Sequence, residues 1–318
     1  MHAHPYSLRQ LQYAVAVADT GGFRRAAERC HVSQPSLSAQ LAQLEAVLGV
    51  RLFERNRRGV LPTAAGEALL ARARRVLLDA DDLAAAAALL GDPLSGPLHL
   101  GVIPTVSPYL LPGATSALRA RCPRLSVRWT EDRTDGLLSS LREGRLDGVL
   151  LARVAGLDDL KRTTVMEDPF LLATPHDHPL AMGRRPARLS DLEGETALLL
   201  EDGHCLRDQA LALCARARVR EADFRATSLT TLVQMVLGGA GVTLLPAMSL
   251  PVENRGGTLA VRKFQAPSPG RTIVLAWRRQ SSRALALGQV AEVLRETATR
   301  KTRRSFISSI QPPAIRGQ

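Results

Sequence analysis

The first fifty residues contain three stretches of helical patterning, and each ends at a strong turn signal. Residues 8–19 and 23–30 are separated by a Thr-Gly-Gly sequence. Ser33 is a favourable N-cap for the third helix, and Pro35 is tolerated in its first turn because the N–H missing there needs no partner. The buried face of this helix is predicted to carry Leu37, Leu41, Leu44 and Leu48, with Gly49 at its end. This arrangement predicts a helix-turn-helix.

A recognition helix needs short polar side chains at its amino-terminal end, where it meets base edges. The third helix offers Gln34, Ser36, Ser38 and Gln40. A basic hairpin follows at 50–63, and its arginines, which suit phosphates or a minor groove, are Arg55, Arg57 and Arg58. The alternative is a three-helix bundle with a solvated basic loop, and spacing alone does not exclude it.

One long helix is predicted over 64–90. Its apolar residues recur every seven positions at Leu69, Val76, Leu83 and Leu90, and alanines lie four positions after the first three. A repeat of this kind forms an a/d seam, which indicates a partner helix. The alanines would let the two backbones approach closely.

A turn-rich segment at 91–97 separates this helix from a region in which strand-like and helix-like runs alternate. The strands are predicted in runs such as LHLGVI, DGVLLA and TIVLAW, and the helices over 108–120, 135–143, 206–217 and 229–238. Such alternation is typical of a mixed α/β fold. The basic segment 299–318, which contains Arg300, Lys301, Arg303, Arg304 and Arg316, is expected to be a disordered tail.

Composition narrows the class of protein. The net charge is +12, and the excess comes from arginine, which suits bidentate contacts to phosphate and guanine. Four cysteines in 318 residues do not form a disulfide scaffold. No apolar run reaches membrane-spanning length, and no signal-peptide core is present. We expect a cytoplasmic protein in a reducing compartment, without a metal or cofactor.

Two of the cysteines, Cys205 and Cys214, lie in a stretch that otherwise has the pattern of a helix. Nine residues of helix place their Cα atoms roughly 13 Å apart, since each residue rises about 1.5 Å. A disulfide requires Cα atoms within about 7 Å. The bridge and the intact helix therefore exclude each other, so the pair is a candidate two-state element.

The neighbours of Cys205 act in opposite directions on its thiol. A helix amino terminus, His204 and Arg207 favour the thiolate, whereas nearby acidic residues disfavour it. A thiolate oxidised by peroxide gives a sulfenic acid, which a second thiol converts to a disulfide. The alternative is two cysteines packed in a helix. Cys30 and Cys122 are interpreted as structural.

The amino-terminal residues resemble the winged helix-turn-helix of LysR-type transcriptional regulators. The matching positions are Ala26-Ala27, Val32-Ser33-Gln34-Pro35, Leu37-Ser38, Leu44-Glu45, Leu48-Gly49, Leu52-Phe53, Arg55, Thr63 and Gly66. The resemblance implies that Gln34, Pro35, Ser36 and Ser38 face the major groove and that Arg58 lies in the wing. It also implies a DNA-binding domain over 1–63, a dimerisation helix over 64–90, and a two-subdomain α/β regulatory module over 91–298 that resembles periplasmic binding proteins.

The segment LLLEDGHCLRDQALALC (198–214) is similar to the redox segment of the peroxide-sensing branch of that family. Further matching segments are GVIPTVSPYLLP, FRATSLTTLVQMV, GVTLLPA and RTIVLAW. The resemblance implies that Cys205 is peroxidatic and Cys214 resolving. It places the pocket that holds peroxide at Thr105, Thr134, Gln209 and Arg271, with His204 and Arg207 beside the reactive cysteine.

The implied function is a transcription activator of oxidative-stress genes that hydrogen peroxide switches through a reversible Cys205–Cys214 disulfide. Its implied partners are double-stranded promoter DNA, RNA polymerase and further copies of the chain, as a dimer of dimers. One alternative is a regulator of the same architecture that senses a small metabolite between its subdomains. Another is a thiol peroxidase fused to a DNA-binding head, but an enzyme is not expected, because a sensor needs only one slowly reset event.

Overall fold

The computed structural model describes residues 4–56, 59–88, 92–183 and 185–308. The chain divides into an amino-terminal unit, which ends at Gly91, and a carboxy-terminal unit, which begins at Asp92.

The amino-terminal unit begins with the three predicted helices: α1 (Leu8–Thr20), α2 (Phe23–Arg29) and α3 (Gln34–Leu48). The side chain of Ser7 caps α1 by accepting a hydrogen bond from Gln10 N. Gly21 and Gly49 end α1 and α3 in the left-handed conformation that favours glycine. Leu37, Leu41 and Leu44 are buried as predicted, and Leu48 is half-buried.

A two-stranded antiparallel wing follows, formed by β1 (Phe53–Asn56) and β2 (Gly59–Pro62). The Glu45 carboxylate accepts hydrogen bonds from Leu52 N at 2.6 Å and Phe53 N at 3.3 Å, which joins α3 to the wing. The predicted basic hairpin is therefore confirmed.

The long helix α4 (Ala64–Ala88) begins at 64, as predicted, while positions 89 and 90 lie outside the described residues. Its first turn packs closely on the residue before the wing: a Cβ at Gly66 would lie 2.1 Å from Leu52 O. The Thr63 hydroxyl accepts a hydrogen bond from Gly66 N and donates to Arg51 O. These contacts explain why a threonine and a glycine occupy these positions.

The carboxy-terminal unit is an α/β structure. Its strands are β3 (Gly96–Val102), β4 (Leu125–Glu131), β5 (Gly148–Ala152), β6 (Leu160–Thr174), β7 (Thr196–Leu200), β8 (Arg220–Ala226), β9 (Thr243–Pro246), β10 (Ala260–Lys263) and β11 (Gly270–Arg278). Its helices are α5 (Ser107–Arg121), α6 (Thr134–Arg142), α7 (Cys205–Ala217), α8 (Leu229–Leu237), α9 (Leu250–Glu253) and α10 (Ala284–Ser308). One sheet has the order β10-β6-β11-β5-β3-β4, with β9 also paired to β6, and β7 pairs with β8 in parallel.

This unit has two hydrophobic cores because β6 changes partners partway along its length. Its first part pairs with β11 as far as Pro169, and its last part pairs with β9 and β10. The first subdomain packs β3, β5, β11 and the start of β6 against α5, α6 and α10. The second packs β7, β9 and the end of β6 with α7 and α8. The predicted winged helix-turn-helix, linker helix and two-subdomain α/β module are confirmed.

Several elements differ from the sequence prediction. Strand β8 is rich in exposed charged residues and lacked an apolar pattern, and β10 and α10 were not predicted. The disordered tail expected from residue 299 is wrong as far as Ser308, because α10 continues through it. Within this helix the Thr299 hydroxyl donates a hydrogen bond to Arg295 O. The segment from Ala284 to Ser308 contains no proline that would end the helix; the next proline in the sequence is Pro312. The remaining tail lies outside the described residues.

Candidate redox site

Helix α7 positions both cysteines, and the loop before it sets its start. Gly203 has a φ of +89°, which turns the chain after β7, and His204 is the N-cap. Cys205 is the first residue of the helix, and Cys214 lies near its end. Both thiols are free and buried.

The two thiols lie in different cores. Nine residues correspond to two and a half turns at about 3.6 residues per turn, so Cys205 and Cys214 project from opposite faces of α7. Cys205 packs in the core of the first subdomain, and Cys214 packs in the core of the second. The helix thus separates the thiols both along its axis and around it.

Thr105 and Arg271 are brought together at the junction of the subdomains. Arg271 Nη1 donates to Thr105 Oγ1 at 2.8 Å, and Nη2 donates to Thr105 O at 3.0 Å. Arg271 Nε donates to Asp168 Oδ2 at 3.0 Å, and neither side chain of this ion pair is exposed. Burial raises the pKa of Asp168, whereas Arg271 and the N–H of Met248 oppose that rise. The guanidinium is therefore held rigidly against Thr105.

Two other predicted residues have buried polar atoms that lack a hydrogen-bond partner within the described residues. Thr134 is the first residue of α6, and its Oγ1 is one of these atoms. The other is Oε1 of Gln209, which lies four residues after Cys205 and therefore on the same face of α7. A buried polar atom without a partner costs free energy, so a small molecule with hydrogen-bond donors would be favoured beside them.

His204 lines a cleft of about 330 Å³ between the subdomains, together with Thr105, Arg133, Glu201 and Ser228. Burial, and after it the Arg133 guanidinium, lowers the pKa of His204 below its ordinary value of 6.5, while Glu201 acts in the opposite direction. The imidazole is therefore neutral near pH 7 and places no positive charge beside Cys205.

Arg207 is directed away from the residues just described. Its guanidinium contacts Asp202 at 2.9 Å, Leu200 O at 3.0 Å and Glu221 at 2.7 Å, all in the second subdomain. Burial raises the pKa of the Cys214 thiol, and the Glu221 carboxylate adds to this effect. Cys214 is thus held as a protonated thiol while α7 is intact.

The polar residues at the start of α3 are accessible. Gln34, Pro35 and Ser36 are exposed, and Ser38 and Gln40 are half-buried. Arg55 lies on β1, and Arg58 lies outside the described residues.

The apolar seam of α4 is partly exposed. Leu69 is half-buried, Val76 is 43% exposed and Leu83 is 74% exposed. Leu90, the last residue of the predicted seam, lies outside the described residues.

The remaining cysteines, Cys30 and Cys122, are also free thiols. Cys30 is half-buried at the end of α2, and Cys122 is buried after α5, where burial raises its pKa. Within the described ranges, no group of His, Cys, Asp and Glu is arranged to hold a metal ion. Of the helices described, none combines the length and apolarity needed to cross a membrane.

Sequence reasoning missed Asp168 and Arg133. Asp168 is the buried partner of Arg271 but lies 103 residues before it, so no local pattern connects the two. Arg133 forms an ion pair with Glu201 across the cleft. Its position directly before Thr134, which the resemblance assigns to the peroxide pocket, was the available signal.

Comparisons with known proteins agree with this arrangement. The bacterial regulatory helix-turn-helix protein, lysR family, matches residues 8–67, and the LysR substrate binding domain matches residues 91–299. A hydrogen peroxide-inducible genes activator of Pectobacterium carotovorum subsp. carotovorum is 45% identical over 291 residues, which cover 91% of this chain and 96% of that protein.

Two solved structures are similar over nearly the whole chain. A full-length OxyR variant from Pseudomonas aeruginosa has a TM-score of 0.75 at 35% identity and covers 92% of this chain and 96% of that one. A cysteine-to-serine OxyR mutant from Corynebacterium glutamicum, with hydrogen peroxide bound, has a TM-score of 0.66 at 37% identity and covers 98% of both chains. The chain therefore belongs to the LysR family of bacterial regulators and, within it, to the OxyR group of hydrogen peroxide-inducible genes activators.

Proposed function

We propose that this chain is a DNA-binding transcription regulator, acting as an activator of oxidative-stress genes, that hydrogen peroxide switches through Cys205 and Cys214. The observation that carries the proposal is the placement of the two thiols on opposite faces of α7, in two different cores. A disulfide between them requires α7 to unwind and one thiol to leave its core. Oxidation is thereby coupled to the packing of the two subdomains.

The chemistry proceeds in two steps. The Cys205 thiolate attacks one oxygen of hydrogen peroxide, so that an S–O bond forms, the O–O bond breaks and hydroxide leaves. Cys214 then attacks the sulfenic sulfur, which forms the S–S bond and releases water. Reduction by a cellular dithiol restores both thiols.

The peroxide pocket is assigned to Thr105, Thr134, Gln209 and Arg271. Hydrogen peroxide has two O–H donors, which match the unpartnered Thr134 Oγ1 and Gln209 Oε1. The leaving oxygen becomes negative as sulfur attacks, and the Arg271 guanidinium and the hydroxyls favour that charge. The neutral His204 imidazole lines the site. Arg207 holds the loop before Cys205 in place through its ion pair with Asp202.

DNA recognition is assigned to the head, 1–63, through Gln34, Pro35, Ser36, Ser38 and Gln40, with Arg55 and Arg58 on phosphates. The helix 64–90 would pair two chains along Leu69, Val76, Leu83 and Leu90, and its exposed Val76 and Leu83 support this assignment. The module over 91–298 would sense peroxide, and 299–318 would be a basic extension. We further propose a cytoplasmic dimer of dimers that contacts RNA polymerase.

A regulator that responds to a metabolite is the second candidate, because the cleft of about 330 Å³ between the subdomains could hold a small polar molecule. Footprinting of promoter DNA with reduced and peroxide-treated protein separates the candidates. The proposal predicts that peroxide changes the footprint of wild type but not of the Cys205→Ser variant. A variant that still switched with peroxide would remove Cys205 from the mechanism.

A thiol peroxidase is distinguished by turnover. We expect about one peroxide consumed per chain before the protein must be reset, and only slow consumption with excess reductant. Rapid, sustained consumption at enzyme-like rates of about 1–10³ per second would contradict a sensor.

A further inference from the structure

Two contacts cross the boundary between the subdomains at the amino-terminal end of α7. Cys205 extends from the second subdomain into the core of the first. Arg133, which is the N-cap of α6 in the first subdomain, extends in the opposite direction and pairs with Glu201 in the loop before Cys205. The apolar contact and the ion pair thus fasten the same end of the helix.

The position of Arg133 is defined by more than the ion pair. Its side chain passes over the loop, since a Cβ at Gly203 would lie 2.9 Å from Arg133 Cδ. Glu201 is held in the second subdomain by the hydrogen bond from its N–H to Ala226 O, at 2.9 Å. Arg133 therefore spans from one subdomain to backbone that is fixed in the other.

Among the described residues, the other ion pairs of this loop do not cross the boundary. Asp202 pairs with Arg207 and Arg225, and all three residues belong to the second subdomain. These contacts can persist when the subdomains shift, whereas the pair between Arg133 and Glu201 must lengthen if the loop leaves the first subdomain.

We propose that the Arg133–Glu201 ion pair is a latch that holds the Cys205 end of α7 on the first subdomain, and that its opening limits how fast the disulfide closes. The inference rests on the proposed function. In this scheme Cys205 is the thiol that leaves its core on oxidation, and the loop that carries Glu201 moves with it. Arg133 is a positioning residue in this scheme, because it acts on the loop and not on peroxide.

The solvent exposure of the two side chains sets how strongly the ion pair can affect the rate of disulfide closure. The Arg133 and Glu201 side chains are 49% and 31% exposed, so solvent screens their attraction. Partly exposed pairs of this kind correspond to about a two- to fivefold change in an equilibrium or a rate. The latch would tune the response and would not by itself prevent it.

A charge-swap series tests the latch. Disulfide closure is followed by acid quench and mass spectrometry, at peroxide concentrations that make closure the slow step, in wild type, Arg133→Glu, Glu201→Arg and the double swap. The first step is measured separately in the same series carrying Cys214→Ser, by trapping the sulfenic acid. Arg142→Glu is the matched control, since Arg142 pairs with Asp159 at the other end of α6.

We expect Arg133→Glu and Glu201→Arg each to speed closure about two- to fivefold, and the double swap to return it to the wild-type rate. Arg142→Glu should leave closure unchanged. Equal closure rates across the series, or a double swap as fast as the single variants, would overturn the latch. Absence of a Cys205–Cys214 bond in the wild type would instead overturn the proposed function, so the two failures are distinguishable.

Discussion

Cys205 and Cys214 lie half a turn apart around α7, so that one thiol is buried in the core of the first subdomain and the other in the core of the second. Their Cα atoms are separated by about 13 Å of helix rise. Bond formation therefore needs both loss of helix and transfer of a side chain between environments. This relationship connects a local oxidation to the packing of the whole regulatory unit.

Thr134→Val should slow oxidation of Cys205 without destabilising the protein. The variant removes a hydroxyl that contacts peroxide, and one hydrogen bond corresponds to about a two- to tenfold loss of rate. Because Thr134 Oγ1 is buried without a partner in the described structure, its removal should leave the free energy of unfolding unchanged or raise it. Stopped-flow oxidation and urea denaturation measure both quantities. Wild-type reactivity would exclude Thr134 from the pocket.

Thr105→Val should lower both the rate at which peroxide oxidises Cys205 and the free energy of unfolding, whereas Thr134→Val should lower only the rate. Arg271 Nη1 donates to the Thr105 hydroxyl at 2.8 Å, and the substitution leaves that buried donor without its acceptor. The expected cost is about 1–3 kcal/mol of unfolding free energy. The same two measurements apply, and an unchanged urea midpoint would show that Arg271 does not depend on this contact.

His204→Gln should reduce the loss of stability in mild acid. The folded pKa of His204 is lowered by burial and by Arg133, so the unfolded chain takes up a proton near pH 6.5 before the folded chain does. This group's contribution is present above that pH and is lost as pH falls through the folded pKa. Denaturation at pH 7.5 and 5.5 should show a smaller difference for the variant than for wild type. An equal or larger difference would contradict a buried, neutral imidazole.

Substitutions in the DNA-binding head should separate base contacts from phosphate contacts. Gln34→Ala should reduce the difference in binding free energy between operator and unrelated DNA by about 1–3 kcal/mol. Arg55→Ala should weaken binding to both DNA sequences. It should also reduce the slope of the logarithm of the binding constant against the logarithm of the salt concentration by about 0.9 in magnitude. Arg128→Ala, an exposed change in the carboxy-terminal unit, is the control. Binding titrations at several salt concentrations measure these effects, and an unchanged slope for Arg55→Ala would place Arg55 away from phosphate.

Leu83→Glu should dissociate the pair of chains that the linker helix is proposed to form. Leu83 is 74% exposed on α4, and a carboxylate there would be buried in the seam. Ala71→Glu, an exposed change on another face of the same helix, should have no effect. Sedimentation gives the mass of each variant. A mass equal to that of wild type for Leu83→Glu would show that the seam is elsewhere.

The sequence predicts elements well where local signals agree. The N-cap Ser33, the apolar face of α3 and the helical pattern over 206–217 are local, and the structure contains all three. Strand β8 was missed because its stability comes from pairing with β7 rather than from its own polar side chains. The Arg271–Asp168 pair depends on β11 lying beside β6, which no local pattern reveals. The opposite placement of the two thiols needed the positions of both cores.

The most direct test of the central claim is disulfide mapping by mass spectrometry of the full-length protein before and after stoichiometric hydrogen peroxide. We expect four free thiols before treatment. After treatment we expect a bond within one chain between Cys205 and Cys214, with Cys30 and Cys122 still reduced. A bond that involves Cys30 or Cys122, or oxidation of Cys205 that never proceeds to a bond with Cys214, would contradict the proposed switch.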